Sequence, residues 1–191
     1  MQSDTNNYEI LFFNSSPGIE DRAFKKLTLV KSPIDCLHEA AENTYDLVAI
    51  FNEHRSLQEY DTLLELCSTL KRNPHTMHIP LLCLLPLKHR QLLEQLQNTG
   101  VEYVMFYDPH DPDLKNHIET SLVNWPEKYK LSRILSNICP HINYFPISWH
   151  KEIIYCRAYR NRLVLGSYRL RHLCETSNHK ICEYFNSPKF I

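Results

Sequence analysis

Four cysteines within 44 residues, Cys139, Cys156, Cys174 and Cys182, are the side chains of this sequence best suited to chemistry. Four thiolates gathered by a fold are the donor set of tetrahedral Zn²⁺ and of iron–sulfur clusters. The intervals between them are 16, 17 and 7 residues. None is the Cys-x2-Cys knuckle frequent in zinc sites, which places an Fe–S cluster of the 4Fe–4S type slightly ahead of Zn. A variant donor set uses His179, in the run from Cys174 to Cys182, in place of one cysteine, a nitrogen ligand that Zn²⁺ accepts readily. The plainer alternatives are four buried free thiols, or two disulfides, which seldom persist in a reducing compartment. Cys36, Cys67 and Cys83 lie in apolar, periodic segments and read as core thiols. Of the eleven histidines, His172 and His179 flank Cys174 and are the better ligand candidates, while His75, His78, His89, His110 and His117 read as solvated.

The elements that must bring these thiols together lie in residues 126–191, a small basic four-cysteine module. Leu131, Ile134, Leu135 and Ile138 share one helical face leading to Cys139-Pro140. Ile153–Cys156 and Arg162–Gly166 read as short strands, and Tyr168–Cys174 as a helical turn or an extended segment. About 65 residues with so few regular elements bury little core, and units of that size usually need a staple. The module carries 11 Lys/Arg against 4 Asp/Glu, a net of +7, whereas residues 1–125 carry 10 against 18, a net of −8. Arg157, Arg160, Arg162, Arg169 and Arg171, interleaved with Tyr155, Tyr159 and Tyr168, form a patch suited either to a nucleic-acid backbone or to docking on the acidic first part.

Residues 1–125 alternate strands and helices. Tyr8–Phe13 and Lys26–Lys31 read as strands, and Ser32 caps a helix with Pro33 in its first turn. Tyr45–Phe51, Ile79–Leu85 and Val101–Tyr107 are apolar runs of the kind buried on both faces of a parallel sheet. Helices over about 57–71, 89–98 and 111–124 separate them, and Trp125-Pro126 marks the boundary. The expectation is an α/β fold with a doubly wound, five-stranded parallel sheet, followed by the small module. Only three glycines are present, so no glycine-rich phosphate loop exists.

Tyr45–Phe51, Ile79–Leu85 and the glycine turn Asn98-Thr-Gly-Val-Glu-Tyr-Val-Met105 resemble the third, fourth and fifth strands of receiver domains of bacterial response regulators, over about residues 8–124. The resemblance implies a phosphorylatable aspartate at the end of the third strand, where Phe51 and then Asn52 stand. It implies an acidic pair after the first strand, where this chain has Asn14 and Ser15, a hydroxyl at Leu85, and a lysine at Tyr107 or Asp108. The link Asn14–Lys25 is too short for a full first helix with loops, so that helix is expected to be reduced.

The expected protein is therefore a pseudo-receiver without phosphotransfer, joined to a cysteine-ligated metal module that either reports redox state or holds the tail together. It is a signalling or interaction protein rather than an enzyme, since Cys-x-x-Cys, Gly-x-Ser-x-Gly and paired strand-end carboxylates are missing. Protein partners are expected on the receiver-like surface, with homodimerisation and nucleic-acid binding by the basic module as alternatives. The first seven residues lack a secretory pattern and no apolar run approaches the ~20 residues of a membrane helix, which suggests a cytoplasmic protein with no membrane contact.

Overall fold

The computed structural model describes residues 8–15, 27–53, 57–123, 127–148 and 151–190. The expected shortened helix after the first strand and the boundary at Trp125-Pro126 lie outside them. Five parallel strands, β1 (Ile10–Asn14), β2 (Leu27–Val30), β3 (Leu47–Phe51), β4 (Leu81–Leu85) and β5 (Tyr103–Phe106), form one sheet in the order β2-β1-β3-β4-β5. This is the flavodoxin-like doubly wound order, in which the chain turns back across the first strand. Every residue of β1, β3 and β4 is buried, as continuous apolar runs require when helices cover both faces.

The helices α1 (Pro33–Glu42), α2 (Leu57–Arg72) and α3 (Arg90–Thr99) cover one face through Cys36, Ala40, Leu63, Leu66, Cys67, Leu70, Leu92, Leu93 and Leu96. Helix α4 (Leu114–Val123) covers the other with Ile118 and Leu122. Local signals set the helix ends. Ser32 Oγ accepts from Asp35 N–H at 3.1 Å, with Pro33 preset for the first turn. Helix α3 ends at Gly100, whose φ of 95° lies in the left-handed region, and a Cβ there would stand 3.3 Å from Lys71 Cγ. Gly100→Ala is expected to destabilise the protein by about 1 kcal/mol through backbone strain alone, read as a lower urea midpoint with unchanged slope.

Beyond the sheet, a 3₁₀ turn (Glu127–Tyr129) and α5 (Leu131–Ser136) lead into a three-stranded antiparallel sheet, β6 (Ile142–Ser148), β7 (Lys151–Cys156) and β8 (Leu163–Val164), in that order. Strand β6 has no counterpart in the sequence analysis, and it contains Pro146, a residue usually kept out of strands. It is tolerated here because β6 is an edge and its register shifts between Pro146 and Ser148. Residues 167–174 are helical, α6 (Ser167–Arg169) running into a wider π turn (Leu170–Cys174). A 3₁₀ turn (Ser177–Ile181) and α7 (Glu183–Asn186) complete the described chain.

The two parts meet across an apolar seam. Leu131, Leu135, Ile138, Ile142 and Tyr144 share one buried cluster with Leu92, Leu96 and Val101. Leu131 N–H donates to Glu102 O at 2.8 Å, and Arg90 donates through Nη1 to the carbonyls of Leu135 and Ile138. Among the described residues none of the five candidate arginines forms an ion pair with the first part, so the seam rests on apolar burial and hydrogen bonds.

Candidate metal centre

Four separate elements carry the four cysteines toward one another. Cys139 follows α5, and its N–H donates to the carbonyl of Cys174 at 2.7 Å, fastening the end of the π turn to the end of α5. Cys156 closes β7 opposite Ile142, whose own N–H reaches back to Cys139 O at 3.4 Å. Cys182 sits between the 3₁₀ turn and α7, where its N–H donates to His179 O at 3.0 Å. Cys139, Cys156 and Cys174 are buried and Cys182 is half-buried, all as free thiols.

The charges of Cys139, Cys156 and Cys182 act on Cys174, and those of Cys156 and Cys182 act on Cys139. Burial pushes the Cys174 thiol up to about 12, helped by Cys139, Cys156 and Cys182 and opposed by Arg169. Cys139 is raised by burial first, with Cys156 and Cys182 adding to it. Arg169 Nη2 lies 3.8 Å from Cys182 Sγ and its guanidinium stacks 5.2 Å over the Tyr184 ring, so one cation is held against the cluster of sulfurs. Among the described residues no three Cys, His, Asp or Glu side chains are arranged to hold a single metal ion.

The histidine candidates separate. His179 is 3% exposed, packs edge-on to Phe185 and donates its Nδ1–H to Thr176 O at 2.8 Å, which leaves Nε2 as the bare nitrogen. His172 is exposed and stacked on Tyr168, with its Nδ1 bonded to Tyr168 O. His75, His78, His110 and His117 are exposed, as expected. Arg157, Arg160, Arg162 and Arg171 are exposed, Arg169 is half-buried, and Arg160 and Asn161 make a left-handed turn at φ 51° and 55°.

His89 overturns the expectation of a solvated side chain. It is buried as the N-cap of α3, accepting from Leu92 N–H through Nδ1 at 3.2 Å, so Nε2 carries the proton and donates to Glu152 Oε2 at 3.2 Å. The ring of Tyr144 lies over it at 3.7 Å, and Tyr144 OH accepts from Arg90 N–H. The reading failed because the partners, Tyr144 and Glu152, come from the distant β6–β7 hairpin.

Burial holds the His89 pKa below its ordinary 6.5, against the opposing pull of Glu152. A depressed histidine is neutral in the fold, so the unfolded chain binds more protons below pH 6.5. The His89 contribution is therefore complete above that pH and is lost as the pH falls through the folded value. The urea midpoint is expected to drop between pH 7.5 and 5.5, and to drop less in His89→Gln.

At the carboxyl end of the parallel sheet, most of the positions that the receiver resemblance assigns to phosphoryl chemistry are buried. Phe51 is 2% exposed and stacks on Tyr107 with centroids 4.8 Å apart, while Leu85 is fully buried. Tyr107 OH donates to Asn52 O at 2.9 Å. Asn14 is buried at the end of β1.

No protein-family model matches the chain, and no curated protein matches it. Among solved structures it is similar to the chemotaxis response regulator CheY4 of Vibrio cholerae, at 13% identity and a TM-score of 0.45, covering 60% of this chain and 96% of that one. It is also similar to the signal receiver domain of a signal transduction histidine kinase from Syntrophus aciditrophicus (16%, TM-score 0.41, covering 64% and 95%). A response regulator from Desulfuromonas acetoxidans gives 15%, a TM-score of 0.39, and coverage of 60% and 96%.

Proposed function

We propose that this protein is a non-catalytic signalling or interaction protein, a receiver-like scaffold without phosphotransfer, whose C-terminal module carries a 4Fe–4S cluster on Cys139, Cys156, Cys174 and Cys182. The observation that carries this reading is that the four cysteines, from four elements, lie near enough for Cys174 to feel the charges of the other three, with Cys139 N–H bonded to Cys174 O. Four sulfurs on one Zn²⁺ stand about 3.8 Å apart, from Zn–S bonds near 2.3 Å. The described side chains do not stand in that arrangement, so the cluster reading rests on the shared neighbourhood of the four cysteines and not on a preformed ligand set. When bound, a cluster supplies a one-electron redox couple, and Arg169 beside Cys182 would favour the more negatively charged reduced state.

The loss of phosphotransfer follows from chemistry: acyl-phosphate formation needs a carboxylate nucleophile, carboxylates for Mg²⁺ and a cation for the phosphoryl oxygens. Asn14, Phe51, Leu85 and Tyr107 offer none of them. Anaerobic purification with iron, sulfide and zinc analysis and an absorbance spectrum tests the module. About four iron atoms per chain with a broad visible band near the charge-transfer region supports the cluster, one zinc replaces it by the Zn reading, and neither metal overturns both. The exposed guanidinium groups of Arg157, Arg160, Arg162 and Arg171 beside Tyr168, which is 78% exposed, favour nucleic acid as a second reading. Its mark is binding that weakens steeply with salt.

A further inference from the structure

In a sheet ordered β2-β1-β3-β4-β5 the connections leave β1 in opposite directions, and the crevice beyond the carboxyl ends of β1 and β3 is where doubly wound proteins take up ligands. A cavity of about 270 Å³ occupies that place in this chain. Its walls are Phe13, Ile50, Phe51, Leu63 and Pro33, with Ser15, Asn52 and Thr62 as its polar members. The apolar members Phe13, Ile50, Phe51 and Leu63 are buried, whereas Ser15 and Thr62 are exposed, so the cavity has an apolar interior and a hydroxyl-bearing rim.

Asn52 is the informative wall residue. Its backbone is fully used, the N–H donating to Leu84 O at 3.1 Å and the carbonyl accepting from Tyr107 OH. Its side chain is not: the residue is 5% exposed, yet Nδ2 is buried and has no hydrogen-bond partner among the described residues. A buried N–H donor without an acceptor is unfavourable, and native structures usually meet such a group with water or a ligand. An apolar cavity of about 150 Å³ is enough to bind benzene, so this larger one has room for a single ring with a short substituent.

We propose that this cavity binds a small, largely apolar molecule of single-ring size bearing a carbonyl oxygen, with the ring against Phe13, Ile50 and Leu63 and the oxygen accepting from Asn52 Nδ2. The wall residues belong to β1, β3, α1, α2 and the positions beside them, and none is one of the four cysteines of the C-terminal module. Ligand uptake would give the scaffold a chemical input where phosphoryl transfer has no foothold.

The test titrates the full-length, isotope-labelled protein with benzamide and with ethylbenzene, its counterpart without an acceptor, followed by NMR. Benzamide is expected to saturate, moving the Asn52 side-chain NH₂ signals and the methyl signals of Ile50 and Leu63, and to bind at least tenfold more tightly than ethylbenzene. Asn52→Leu, checked for folding by its backbone spectrum, is expected to remove that tenfold preference while leaving ethylbenzene binding in place. Millimolar benzamide and ethylbenzene leaving all these signals unmoved would overturn the site. Equal affinities with the Asn52 NH₂ signals unmoved would overturn the carbonyl requirement and with it the proposal.

Discussion

Replacing Cys174 with Ser is expected to abolish metal loading and to melt residues 127–190 while the parallel sheet stays folded. Cys174 is the hub of the group: its carbonyl receives the Cys139 N–H, and its thiol feels the charges of Cys139, Cys156 and Cys182. A small unit with a two-residue third strand and short helical turns would draw much of its folding free energy from a bound metal, since structural zinc in comparable peptides supplies about 10–16 kcal/mol. Losing one of four thiolates should remove enough of that to unfold the module. Iron and zinc content with limited proteolysis checks this, and each of the four Ser variants should behave alike. Cys67→Ser is the control. Cys67 Sγ lies 3.8 Å from Cys83 Sγ inside the α2–β4 core, so its replacement should cost about 1–3 kcal/mol with metal content unchanged. If all four variants keep a protease-resistant module, the sulfurs are only buried packing.

Metal uptake should also release protons and strengthen with rising pH. Burial holds Cys139 and Cys174 above their ordinary value, so these thiols are protonated at neutral pH and a metal must displace those protons. Zinc titration of the iron-free protein in weak buffer reads the release directly.

The second large effect is expected from Phe51→Asp, which places an acidic side chain at the end of β3. In place of gaining phosphotransfer, the variant should lose about 3–5 kcal/mol from the missing ring alone, with the burial of a carboxyl added to it. Phe51 packs against Phe12 at 6.3 Å and Tyr107 at 4.8 Å, inside a cluster that includes Leu84 and Met105. No cation among those neighbours meets a carboxylate, so its pKa should rise and the protein should be most destabilised at high pH. Thermal melts at pH 5 and pH 8, with mass spectrometry after incubation with acetyl phosphate, give both readings. A stable variant that takes up a phosphoryl group would show that the site is one substitution from function.

The sequence spoke most clearly where structure is local. Ser32-Pro33, Gly100 and the apolar runs around β3 and β4 set element type and end by backbone preference and burial, so their neighbours in the chain suffice to read them. It spoke poorly where the decisive partner is remote. Strand β6 exists because it pairs with β7 despite Pro146, and His89 is buried because Tyr144 and Glu152 arrive from more than fifty residues away. The cysteine set was visible as residue types, but spacing alone does not distinguish His172, turned onto Tyr168 at the surface, from the buried His179. The cavity beside Asn52 had no sequence signal, since it is a space between elements.

The seam between α5 and α3 has a consequence for the protein's lifetime. Leu131, Leu135 and Ile138 share one buried cluster with Leu92, Leu96 and Val101, so a chain whose module has melted would present fresh apolar surface on both sides of that junction. Such a chain would be adhesive, and proteolysis of its loosened segment would pull the folded population down irreversibly. Oxidative damage to a cluster in the module would then be read as disappearance of the whole chain, a signal written in abundance and not in shape.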